Sequence, residues 1–124
     1  MRRIKLRHRF LKTGAFKAEA DRLQAWDQID GLKPLLDRDP TLGDVISGGE
    51  GLRKIRMGLP GRGKRGGARV IYFQMVSDTV ILLIGLYAKN ELADLSKEML
   101  DELIVLRDFA VDEFRRRSHV EKFH

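Results

Sequence analysis

Lys54, Arg56 and Arg69 stand on either side of a run of glycines and further cations, residues 58–67, reading GLPGRGKRGG. Residues 52–73, LRKIRMGLPGRGKRGGARVIYF, hold seven Lys or Arg and five Gly, and neither Asp nor Glu. An arginine offers a planar fork to phosphate oxygens, and glycine lets the backbone approach them closely. On RNA such a set can do chemistry without a metal. The ribose 2′-hydroxyl attacks its own 3′-phosphate when a base takes its proton, cations stabilise the charge of the phosphorane, and an acid protonates the leaving oxygen. A lysine can be that base if neighbouring cations disfavour its charged form, and Arg53 and Arg56 flank Lys54 in the sequence.

Charge balance singles out the same stretch. The chain of 124 residues has 24 basic and 18 acidic side chains, and without these seven cations the remaining 17 are matched by the 18 acids. The excess of +6 is thus focused in one segment. A focused field argues for a polyanionic partner, nucleic acid ahead of an anionic membrane surface, where scattered charge would only aid solubility. A solvated hairpin without a partner would account for the loop cations Arg62, Lys64 and Arg65. It accounts poorly for Lys54 and Arg56, set in a strand beside a core with no acid nearby. Rival chemistries have less behind them. The chain has no cysteine, which excludes disulfides, thiolate metal sites and a cysteine nucleophile. His8, His119 and His124 lack the spacing of paired metal ligands, and His8 reads as a partly buried strand residue. No helix with Ser or Thr follows the lysine of GRGKRGG, so the loop does not read as a nucleotide triphosphate site. The reading calls for no metal and no cofactor.

The elements that must position these residues follow from periodicity. A chain of this length reads as one domain, residues 1–124, with a single core. Its longest apolar run, residues 80–88, is too short to span a bilayer, and the cationic start MRRIKLRHRFLK has no apolar signal region behind it, which points to the cytoplasm. Alternation of Ile4, Leu6 and Phe10 with basic residues predicts a first strand. Two helices are expected over residues 16–24 and 27–38, the second with Asp27 as N-cap and a kink at Pro34. Residues 43–51 read as an irregular connection, residues 52–57 and 68–76 as strands, and TVILLIGLY, residues 79–87, as a central strand apolar on both faces. Ser96 should cap a long final helix striped by Met99, Leu100, Leu103, Leu106, Ala110 and Phe114, with Arg115, Arg116 and Arg117 in its last turn and a frayed tail from Ser118. Strand, two helices, three strands and a helix imply an α+β domain with a small, mostly antiparallel sheet.

Residues 39–96 carry a family resemblance. GDVI, GLRKIR, the GRGKRGGARVIY run and the YAKNE ending occur in order, and the segment resembles the RelE/HigB superfamily of type II toxin–antitoxin toxins, closest to the HigB-type branch. The resemblance implies a RelE-like fold, with two N-terminal helices packed on the sheet and a long C-terminal helix. It implies a ribosome-dependent mRNA endoribonuclease that acts by 2′-hydroxyl attack, inhibits translation, and is held inactive by a cognate antitoxin, often a helix-turn-helix DNA-binding protein. By position, Lys54 and Arg56 match the family's basic pair on one strand, Arg69 the arginine opening the next, and Lys89 the basic segment after the last strand. Arg53, Arg62, Lys64 and Arg65 are the expected RNA and ribosome contacts. Asn90 stands where a second basic residue is common, and Ser96 near the place of the family's catalytic tyrosine, so no tyrosine is carried over. A gyrase-blocking toxin of the ParE kind and an RNA-binding module without cleavage are the alternatives.

Overall fold

A computed structural model describes residues 5–62 and 66–122, the side chains of residues 120–122 excepted. Five strands form one sheet: β1 (Arg9–Lys12), β2 (Asp44–Val45), β3 (Arg53–Met57), β4 (Ala68–Met75) and β5 (Val80–Ala88). Three helices accompany them: α1 (Gly14–Arg22), α2 (Trp26–Arg38) and α3 (Lys97–Lys122). The strands lie in the order β1-β5-β4-β3-β2. The β1–β5 pair is parallel and all the others antiparallel, so the sheet is mixed, and the fold is the α+β architecture that the order of elements implies.

The sheet is covered on both faces. Phe16 and Ala20 of α1 and Ile29, Leu32 and Leu36 of α2 pack with Val70, Tyr72, Ile81 and Leu83 on one face. On the other, Ile104 and Val111 of α3 pack with Ile71, Met75, Leu82 and Ile84. All nine residues of β5 are buried, which is why TVILLIGLY is apolar without alternation.

One irregularity shapes β5. Ile71 of β4 stands opposite Gly85 but Tyr72 opposite Leu83, so Ile84 is an extra residue. Its carbonyl accepts the Thr13 hydroxyl at 2.7 Å, while the Thr13 hydroxyl oxygen accepts the Phe16 N–H at 3.1 Å and so caps α1. Gly85 beside it lets α3 pack closely, since a Cβ there would lie 2.9 Å from the end of the Leu103 side chain, which would have to shift. Thr13 thus fastens the start of α1 to the strand that leads to the loop after β5.

Several expected boundaries move. The first strand begins at Arg9, since the N–H groups of Arg7 and His8 turn onto the Asp37 carboxylate (3.0 and 2.7 Å), which also meets the His8 ring at 2.8 Å. The part of the expected strand at residues 2–4 lies outside the described residues. Helix α2 starts at Trp26 with Ala25 at its cap and no side-chain capping bond, so Asp27 sits inside the first turn, where its charge favours the helix dipole. Pro34 does not end α2, whose buried stripe continues to Leu36. Within the connection over residues 43–51, Asp44 and Val45 pair with Lys54 and Arg53 as a short edge strand. Ser96 caps α3 as expected, its hydroxyl accepting the Met99 N–H at 3.1 Å. That helix runs on to Lys122, so Arg115, Arg116 and Arg117 lie before its last turn and pair instead with Asp78 and Glu113. Its buried stripe also includes Arg107, whose guanidinium stacks 4.4 Å from the Phe73 ring and donates to the Glu50 carbonyl at 2.9 Å. No helix among the described residues is long and apolar enough to cross a membrane.

Candidate functional site

Pairing of β3, β4 and β5 sets Arg56 opposite Arg69 and Arg69 opposite Tyr87, a row across three strands. Like charges directly opposed across an antiparallel pair are destabilising, so an anion between Arg56 and Arg69 would relieve the sheet. Arg69 is only 7% exposed, and its guanidinium donates to the Ala68 carbonyl at 3.2 Å. No carboxylate among the described residues lies within ion-pair distance of it. Buried charge is ordinarily paired, and among the described residues Arg69 has only the Ala68 carbonyl.

The loop after β5 closes one side of this row. Lys89 extends the β4–β5 ladder, its N–H donating to the Gly67 carbonyl at 2.9 Å, and its ammonium donates to the Ala93 carbonyl. Asp94 accepts the Leu95 N–H at 2.8 Å and lies 3.5 Å from the Lys54 ammonium. That N–H, then the charges of Lys54 and Lys89, hold the Asp94 carboxyl below the usual range. The expectation that Lys54 has no acid near it is therefore corrected: folding brings Asp94 to it from 40 residues away. Arg53 does not face Lys54, but donates to the carbonyls of Thr41 (3.2 Å) and Gly43 (2.8 Å), where it braces the turn before β2.

Tyr87 ends the row, where it lines a separate cavity with α3 and the loop after β5. Its hydroxyl is buried and has no hydrogen-bond partner among the described residues. Burial, and after it the Asp94 charge, push its pKa up, against a smaller opposing pull from Arg69. It is therefore a protonated phenol at neutral pH beside a buried guanidinium. Sequence reading missed it, because an aromatic residue inside an apolar strand reads as core; its register opposite Arg69 was the signal.

Beyond β2, which pairs only with Arg53 and Lys54, the edge of β3 is uncovered. A cavity of about 710 Å³ opens there, lined by Lys54, Arg56, Arg69 and Lys89 on one side and by α2 and residues 42–44 on the other. Four of the sequence-predicted residues thus share one cavity. Arg62 sits apart on the glycine loop, where a bridge between Leu59 and Arg62 tightens the turn and its guanidinium donates to the Asn90 side chain at 3.0 Å. Lys64 and Arg65 lie outside the described residues.

No family model matches this sequence. Among solved structures, the chain is similar to the E. coli toxin RelE, a double-arginine mutant in the free state, with a TM-score of 0.58 and 13% sequence identity, over 82% of this chain and 98% of that one. The likeness shows a RelE-like fold.

Proposed function

We propose that residues 1–124 form one toxin domain of a type II toxin–antitoxin system, within the RelE/HigB superfamily and nearest its HigB-type branch, that cuts mRNA on the ribosome and so inhibits translation. The observation that supports this most is the buried guanidinium of Arg69, without a carboxylate partner among the described residues and directly opposed to Arg56. That pair suits a pentavalent phosphorane, whose charge exceeds that of the ground-state phosphodiester. In this reading Lys54, freed from Asp94 when RNA enters, passes its ammonium proton to solvent and, as the neutral amine, takes the proton of the 2′-hydroxyl. Arg56 and Arg69 hold the non-bridging oxygens, and Lys89 neutralises the backbone at the leaving group. Tyr87 supplies the acid that the resemblance left open, protonating the leaving 5′-oxygen. Arg53, Arg62, Lys64 and Arg65 form the RNA- and ribosome-facing border. The protein works in the cytoplasm, needs no cofactor, and is neutralised by an antitoxin, a helix-turn-helix protein in this reading.

Mapping the 5′ ends of cellular mRNA after brief induction tests the reading. Cuts phased with codons in translated regions, absent with Arg69→Ala, are the expected result. Intact mRNA with lost DNA supercoiling would instead identify a ParE-like gyrase inhibitor, and growth inhibition with neither effect a non-cleaving RNA binder.

A further inference from the structure

The edge of the sheet opposite the β3-edge cavity is formed by β1, and no strand among the described residues lies beyond it. The Arg9 N–H donates to the Thr79 carbonyl and the Thr13 N–H to the Leu83 carbonyl, both at 3.1 Å. By the two-residue period of a strand, Arg9, Leu11 and Thr13 turn their backbone groups to β5, and Phe10 and Lys12 turn theirs to the open edge. Such a row of donors and acceptors is a template for another strand. A cavity of about 800 Å³ runs along it, lined by residues 9–13 and by side chains of all three helices, among them Lys17, Trp26 and Phe109.

The two faces of this edge differ in chemistry. Phe10 packs with the core under α1 and α2, so Lys12, two residues on, shares that face with Lys17 of α1. Burial, then the charge of Lys33 on α2, push the Lys12 ammonium below its ordinary pKa, with Asp30 opposing and Lys17 adding to the push. Leu11 packs with the core under α3, and on that face Arg9 stacks 5.5 Å from the Phe114 ring while Phe109 is 65% exposed. Among the described residues no carboxylate lies within ion-pair distance of Arg9, Lys12 or Lys17, and Glu113, the acid that lines the cavity, is taken by Arg116 and Arg117 at 2.6 and 3.7 Å.

We infer that the β1 edge is a docking site for an extended acidic segment of another protein, which adds there as a sixth strand with acidic side chains toward Lys12 and Lys17 and apolar ones toward Phe109. A second copy of this chain does not suit the edge: antiparallel pairing of two β1 strands about the Phe10–Leu11 step would set Arg9 opposite Lys12, like charge against like. The cations that keep two copies apart select an acidic partner and speed its encounter. RNA suits the edge less than peptide does, because phosphates answer the cations but leave the outward N–H and C=O groups unread. The four residues of β1 offer about 13 Å of ladder.

The test uses a capped hexapeptide alternating glutamate and valine, titrated into the full chain and followed by the fluorescence of Trp26, the chain's one tryptophan, and by NMR amide shifts. Saturable binding is expected, with shifts at Phe10 and Lys12 and none at Arg56 and Arg69 on the far edge. N-methylation of the peptide N–H groups that would meet β1 should weaken it at least about 10-fold, since each lost hydrogen bond is worth roughly 3- to 10-fold. Lys17→Glu, on the exposed side of α1, should weaken it about 3-fold, and a peptide with lysine in place of glutamate should not bind. No binding, equal affinity of the N-methylated or the lysine peptide, or shifts centred on Arg56 and Arg69 would overturn the inference. Displacement of the peptide from Phe10 and Lys12 by a short oligouridylate would identify an RNA surface and overturn it as well.

Discussion

Replacing Tyr87 with Phe removes one oxygen and should move stability and activity in opposite directions. The hydroxyl is buried, beside Arg69 and Asp94, with no hydrogen-bond partner among the described residues. A buried polar group left unsatisfied costs about 1–3 kcal/mol, so its removal is expected to stabilise the fold by about 1 kcal/mol, the lower end because the neighbouring charges solvate it in part. For a domain of this size that is a rise in Tm of roughly 3–5 °C. As the general acid, the same hydroxyl should contribute at least ~100-fold to the rate. Thermal unfolding by circular dichroism and cleavage of mRNA on programmed ribosomes give the two readings. Because Tyr87 is held above the ordinary tyrosine pKa of about 10, loss of its proton should lower wild-type cleavage on the alkaline side, and the variant should lack that limb. A lowered Tm would show that the hydroxyl has a partner in the folded chain, and unchanged cleavage would remove it from the mechanism.

Other expectations follow from the same geometry. Thr13→Val keeps the shape but removes both the α1 cap and the donor to the Ile84 carbonyl, and should cost about 2–3 kcal/mol in urea unfolding; a loss below about 0.5 kcal/mol would mean the bulge is not held there. For Asp37, burial pushes the carboxyl up, but the N–H groups of Arg7 and His8 and the His8 ring outweigh it and leave the pKa below its ordinary value. A depressed native pKa gives stability that is present above the unfolded value, about 4, and is lost as pH falls through the native one, so the deficit of Asp37→Asn should shrink in that acid window. Joint replacement of Arg62, Lys64 and Arg65 by Ala should weaken ribosome binding and flatten its salt dependence by about 0.7–0.9 in log–log slope for each phosphate that the loop no longer neutralises, with cleavage per bound complex little changed; an unaltered slope would exclude the loop as a docking surface.

What the sequence made legible was whatever rests on local pattern. The unbroken apolar run of β5 announced a strand buried on both faces, and glycine with like charge marked the loop and its flanking strands. Lys54, Arg56, Arg69 and Lys89 could be named because the resemblance fixed their positions, and the register brings them to one cavity. Pairings between distant segments were not legible. Asp94 reaches Lys54 only because the loop after β5 folds back, and Arg53 turns to the carbonyls of Thr41 and Gly43 only because β2 forms beside it. Tyr87 was hidden for a different reason. It lies in a strand whose apolar pattern explains it as structure, and its hydroxyl, unpartnered among the described residues, becomes visible only when its neighbours are in place.

The central claim is that cations on β3 and β4 drive attack by a ribose 2′-hydroxyl on the adjoining phosphate. The most direct measurement uses ribosomes programmed with two otherwise identical mRNAs, one with a single 2′-deoxy nucleotide at the mapped cut. The account predicts that the all-ribose message is cut to a 2′,3′-cyclic phosphate end, that the deoxy message stays whole, and that Arg69→Ala cuts neither. Cleavage of the deoxy message at the same position, or a cut by folded Arg69→Ala at the wild-type rate, would contradict it.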